Sequence, residues 1–519
     1  MTVRIGNKPA GTSSISNTPS EKPREQQNIP APKQETVRLF KDDRFVRANN
    51  PQLVSLTGES RLSGQPAAAG GFAQGSSLGA NGVSANAITG AGGPPQLSPA
   101  DEQAAGEILG SGDPEQLNTW LAEHPDPAQQ AAMMGYIYQA NEAMGMMLSK
   151  HMSDDAKQNI ASALKGAVDA GYISPEQISE SAAYTGDGTN YGEIIGLTRD
   201  PQLIQTFVDG VMAPTGQGDD GIDPRRAQSA AYALAGMRPQ DLGQYLDTHG
   251  DQMRDIVSMV NGNGDENTQM ALGALLSSAA RIPHTGGTVS QGVVELFNAA
   301  VPQLGENAAS LQGATDFFKR HGDALLKNPA FSDAQTGHLT PGAERTLNEF
   351  WARTMFQGVD YEGKDDFNKW TGQWLGRLDR QLAAVPEEEN GGVATPDQRE
   401  DAARFGGIIG TIENGFRNAV ELLEKKNEAI EGMVDFVFQA KEFIPSMKFP
   451  GASQVTDAGV DAVRNWVVGL LDHDIPTASE SLPFHDQFSQ AIDNQDLRES
   501  YSVGRTEVLV NDGIAGIRD

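Results

Sequence analysis

The densest set of potential metal ligands in the chain is Asp472-His473-Asp474 followed by His485-Asp486. Imidazoles and carboxylates of this kind hold a hard or borderline metal ion when the chain between them folds back. The two histidines are not at a helical spacing, and neither HExxH nor a cysteine-based zinc pattern occurs. With Pro476 and Pro483 beside them, the stretch reads as polar turns, and Asp472, His473, Asp474 and His485 stand only as metal candidates. His124 and His249 form a second set. Each closes a short segment with the same pattern, where an imidazole caps free carbonyls and favours the negative end of the helix dipole.

Three Gly-rich acidic loops, around residues 186–190, 216–223 and 261–267, prompt a test for calcium, which needs several oxygens from a tight turn. Asn261, Asn263 and Asp265 occupy the first, third and fifth places of such a loop, but Glu266 stands where the turn glycine belongs. Loop chemistry alone accounts for all three. The chain has no Cys, which excludes disulfides, thiolate metal sites and cysteine nucleophiles. No GxxxxGK[ST], no GxGxxG after a strand and no GxSxG elbow occurs, so no catalytic residue and no cofactor is assigned.

The elements that would position these groups read as helices. Ser98-Pro-Ala-Asp-Glu gives an N-cap, a first-position proline and acids in the first turn. Ser174-Pro-Glu-Gln is a capping box, and Thr340-Pro-Gly-Ala-Glu repeats the punctuation. Asp113-Pro-Glu-Gln-Leu-Asn-Thr-Trp-Leu-Ala-Glu-His124 aligns without gaps with Arg238-Pro-Gln-Asp-Leu-Gly-Gln-Tyr-Leu-Asp-Thr-His249, and a shorter copy begins at Asp200. Leu117/Leu121 and Leu242/Leu246 share a face in the two full copies, as in helical arrays that bury a shared core. The expected fold is all-α: an irregular helical bundle or solenoid-like array with a long amphipathic C-terminal helix, preceded by a disordered N-terminal arm.

Residues 98–332 form an Ala/Met-rich helical domain in this reading. Met133, Met134, Met144, Met146, Met147 and Met152 suit an ordinary core or an adaptable groove. Residues 333–450 form an aromatic-rich domain with its own core, bounded at Asp333–Gly337. Its long helix spans 397–441, with an apolar stripe through Phe405, Ile409, Ile412, Phe416, Ile430 and Val434. Gly406, Gly407, Gly410 and Gly415 weaken that helix by about 1 kcal/mol each relative to Ala, which points to close approach of a second helix. Residues 451–519 form a C-terminal helix and tail, with 506–511 read as a short strand or an unstructured end. The stripe leaves room for homo-oligomerisation.

The first hundred residues are poor in apolar side chains and read as disordered. They hold ten Lys/Arg and six Asp/Glu, a charge of +4, so the formal −30 of the chain leaves −34 for residues 101–519. Such a body repels phosphates, which excludes nucleic acid as a partner. No run approaches the roughly 18 to 20 apolar residues that span a bilayer, and the start lacks the apolar core of a signal peptide. One island, Glu35–Arg47, alternates Val37, Leu39, Phe45 and Val46 with charged residues and suits strand addition to another protein's sheet edge.

A polar arm with such an island resembles the N-terminal arm of bacterial effectors and toxins carried by needle-type secretion, which implies a secretion chaperone bound at Val37, Leu39, Phe45 and Val46. The Gly-rich helix after the acidic linker 386–396 resembles helical segments of large bacterial secreted or polymorphic-toxin-type proteins. The composition is similar to that of harpins, without their low complexity. The expectation is a secreted or host-directed effector-like protein, exported without a signal peptide and acting through a protein partner rather than by catalysis. Two alternatives stay open: a delivered toxin enzyme, a hydrolase with its site in the C-terminal half, and a cytoplasmic helical scaffold or secretion regulator.

Overall fold

The computed structural model describes residues 95–182, 189–213, 224–259, 266–284, 287–385, 394–421, 425–440 and 491–515, with a few positions between 443 and 489. Helices α1 (Pro99–Ser111), α2 (Pro114–Glu123), α3 (Pro127–Ile137), α4 (Asn141–Leu148), α5 (Asp154–Asp169) and α6 (Pro175–Ala182) come first. They are followed by α7 (Thr189–Leu197), α8 (Pro201–Met212), α9 (Pro224–Ala235), α10 (Pro239–Thr248), α11 (Gly250–Met259) and α12 (Glu266–Ala279). The rest are α13 (Gln291–Ala300), α14 (Ala308–Leu325), α15 (Pro341–Trp351), α16 (Lys364–Ala383), α17 (Pro396–Glu421), α18 (Lys426–Ala440) and α19 (Gln495–Ala515). Among the described residues the fold is all-α, and the one β feature is an isolated bridge between Ser332 and Leu339.

Local chemistry sets the helix starts. Ser98 accepts from the Asp101 amide at 3.2 Å, and Thr340 from the Ala343 amide at 3.3 Å. The Ser174–Gln177 box closes in both directions, with the Ser174 amide donating to Gln177 Oε1 at 2.8 Å and the Gln177 amide donating to Ser174 Oγ at 3.3 Å. Each satisfies donors that a helix start leaves free. Asp113 and Asp200 cap their copies of the repeat in the same way.

Packing then joins helices that are not consecutive in the chain. α3, α5, α7, α9, α12 and α14 each lie on the next, while α4, α6 and α8 form a second row. This is the solenoid-like arrangement, in which each helical unit completes its core against its neighbours. Close approach in the first row depends on small residues: a Cβ on Gly273 of α12 would strike the Ala309 carbonyl of α14, and one on Gly313 would strike Gly273.

The buried side chains form one contiguous cluster from Ala105 to Val508, so residues on both sides of 333–337 share a core in place of two separate ones. Phe297 of α13 stacks with Phe317 and Phe318 of α14, and Phe350 of α15 joins them. The aromatic group therefore starts before the expected boundary and joins both sides of it.

The single helix expected over 397–441 is two helices. Lys425 is outside both, and its amide reaches back to the Ala419 carbonyl at 3.1 Å. The cause is tertiary: α15 runs on into a π-helical segment, Ala352–Phe356, and α17 and α18 both pack against it. Phe416 meets Phe356 edge-on, and Ile412, Phe416, Ile430 and Val434 are all buried within the chain. The stripe that left room for self-association is thus used internally.

Residues 506–511 are helical, as part of α19 rather than as a strand or loose end. α19 lies along α17, where a Cβ on Gly406 would meet the Tyr501 carbonyl and one on Gly504 the Ala403 carbonyl. Close helix approach is therefore what the glycines of α17 serve. Among the described residues no helix is long and apolar enough to cross a membrane.

Candidate functional site

The metal candidates Asp472, His473, Asp474 and His485 lie outside the described residues, as do Val37, Leu39, Phe45 and Val46 of the proposed chaperone island. The three glycine-rich loops also fall outside them, apart from Thr189 and Asn190, which open α7, and Glu266 and Asn267, which open α12. Among the described residues no group of three or more His, Asp or Glu is placed to hold a metal ion.

His124 and His249 are structural caps. His124 Nδ1 lies 2.8 Å from the Trp120 carbonyl, and its ring stacks on Trp120 at 4.2 Å between centroids. His249 repeats the geometry on Tyr245, with Nδ1 3.3 Å from the carbonyl and the rings 4.4 Å apart. An aromatic residue four positions before the histidine supplies both the carbonyl and the stacking face. The repeat is thus one of structure and not of a reactive group.

The methionine stretch is core. Met133, Met134, Met144, Met147 and Met152 are buried, and only Met146 is exposed. Beneath them Tyr138 and Tyr191 share a buried hydrogen bond between their hydroxyls, and Ser181 Oγ lies 2.5 Å from the Tyr191 hydroxyl. Burial raises both phenols, Tyr191 to about 12. These hydroxyls stay protonated at neutral pH.

The most chemically distinctive cluster is a pair of imidazoles that no spacing in the sequence signals. His321, fully buried in α14, places Nε2 2.9 Å from the Ala279 carbonyl at the end of α12. Its Nδ1 lies 2.8 Å from Nε2 of His284, in the segment after α12. The carbonyl can only accept, so His321 carries its proton on Nε2, and a neutral ring then accepts at Nδ1. His284 consequently donates from Nε2. Burial pushes His321 down to about 4, with His284 and Arg320 adding to the effect and the Ala279 carbonyl opposing it. Burial also lowers His284, with Arg320 acting the same way and Asp323 against it. Asp323 itself accepts from Trp374 Nε1 at 2.5 Å and from Arg377 at 3.1 Å. The one sequence sign is the position of His321 four residues after Phe317, on the buried face of α14.

A shallow groove of about 540 Å³ lies where the 333–339 turn meets the starts of α17 and α19. Its walls include His338, Arg399, Glu400, Glu499 and Val503, charges of both signs beside one exposed aliphatic side chain. His338 Nδ1 pairs with Glu507 at 2.7 Å. A hydroxyl–carboxylate contact at the groove's edge, Thr336 Oγ1 to Asp333 Oδ1 at 3.1 Å, belongs to the turn that Asp333 caps with the Gln335 and Thr336 amides. The groove presents a polar, mixed-charge surface. No family model, no curated protein and no solved structure matches the chain.

Proposed function

We propose that the chain is an effector-like protein, exported under the direction of its N-terminal arm and acting through contact with a protein partner. The observation that carries this reading is the division of charge and composition: an apolar-poor arm of +4 ahead of a helical body of −34. An acidic helical surface suits basic protein surfaces and repels phosphate polymers. The reading is further supported by the employment of the body's distinctive polar groups in holding helices together. His124 and His249 cap helices, and Glu413 and Arg505 pair in the interior. The absence of cysteine suits a chain that must refold after transport.

The test is export of the full chain and of the same chain lacking residues 1–60, in a bacterium with a needle-type secretion system and in its secretion-deficient derivative. Export of the full chain alone, and only with the system intact, is the expected result. Equal retention of both forms in every background would remove the reading.

A further inference from the structure

We propose that the His284–His321 pair is an acid-sensitive joint, which holds α14 against the end of α12 while both imidazoles are neutral and releases it when both are protonated. The joint is a three-member chain: the Ala279 carbonyl, then His321, then His284, linked at 2.9 and 2.8 Å. It sits at the edge of the aromatic core, with Phe317 edge-on to His321 at 4.7 Å.

The two protons do different things. His284 is partly exposed, and a first proton on its Nδ1 leaves the Nε2 donor and the bond to His321 in place. A second proton must enter at His321 Nδ1. There it sets one N–H against another across 2.8 Å and leaves a charged ring without water. Among the described residues few charged groups act on the pair. From α14 come Arg320, which disfavours either proton, and Asp323, which favours the one on His284. From α16, Arg377 and the Trp374 indole engage that same Asp323 carboxylate. From α12 only the Ala279 carbonyl faces His321, and it is already occupied. Among the described residues no carboxylate touches the buried ring to compensate.

The sign follows from the two states. The unfolded chain takes up a proton on this imidazole near pH 6.5, whereas the folded chain resists until about 4. The contribution to stability is therefore complete above pH 6.5 and is lost as pH falls from there toward 4.

The test is urea unfolding of the full chain, followed by tryptophan fluorescence at pH 7 and pH 5, with His321→Gln as the comparison. Glutamine can donate to Ala279 and accept from His284 but does not titrate. Between the two pH values, the unfolding equilibrium constant of the wild type should rise about 20-fold more than that of His321→Gln. An identical pH dependence in the two proteins would overturn the proposal. A second measurement needs no variant: in the folded wild type, one of the eight imidazole NMR signals should remain untitrated until below pH 5. If all eight titrate near 6.5, there is no such joint.

Discussion

Arg505 Nε of α19 lies 2.8 Å from Glu413 Oε2 of α17, with both side chains almost wholly removed from water, at 2 % and 1 % exposed. The pair lies along the helix contact that Gly406 and Gly504 make close, so the interface has both no room and a fixed register. A buried pair of this kind is costly to desolvate, and breaking it costs more than replacing it.

Removing one partner should therefore be severe. Glu413→Gln should lower stability by about 3–5 kcal/mol, as measured by chemical unfolding. Replacing both, with Glu413→Leu and Arg505→Met, should recover much of that loss. A single change without effect would show that the pair is solvated.

Glycine substitutions should separate by location. Gly504→Ala places a methyl group on the Ala403 carbonyl and should cost about 1–3 kcal/mol. Gly106→Ala, in the interior of α1 with open space at its Cβ, should stabilise by roughly 0.5–1 kcal/mol. Thermal melts of the two variants should move in opposite directions.

The repeated histidines should behave as caps. His124→Ala and His249→Ala should each cost about 1 kcal/mol, through the lost stack and the lost carbonyl contact. A chelator should leave the melting temperature unchanged. A zinc-dependent rise would point to Asp472, His473, Asp474 and His485 as ligands.

The buried phenols should set the alkaline limit. The unfolded chain loses a tyrosine proton near pH 10, while folded Tyr191 holds its own to about 12. Its stabilising contribution is therefore full below pH 10 and declines as pH rises through 12. Spectrophotometric titration should show part of the tyrosine absorbance appearing only together with unfolding.

The legible parts of the fold were those decided locally. Ser98, Ser174 and Thr340 name their helix starts because the capping side chain and the amides it satisfies are within three residues. The glycines of α17 announce a close neighbour, though not that α19 is that neighbour. The break near Lys425 was hidden, because the apolar stripe continues across it and only in the fold do the two flanking helices pack separately on Ala352–Phe356. The His284–His321 pair was hidden for a similar reason: its members are 37 positions apart and meet only when α14 lies against the end of α12.

The central claim is that the arm directs export, and sufficiency of the arm tests it most directly. A fusion of residues 1–60 to a folded reporter should leave a host with a needle-type secretion system and be retained when that system is disabled. Retention in both hosts would contradict the account.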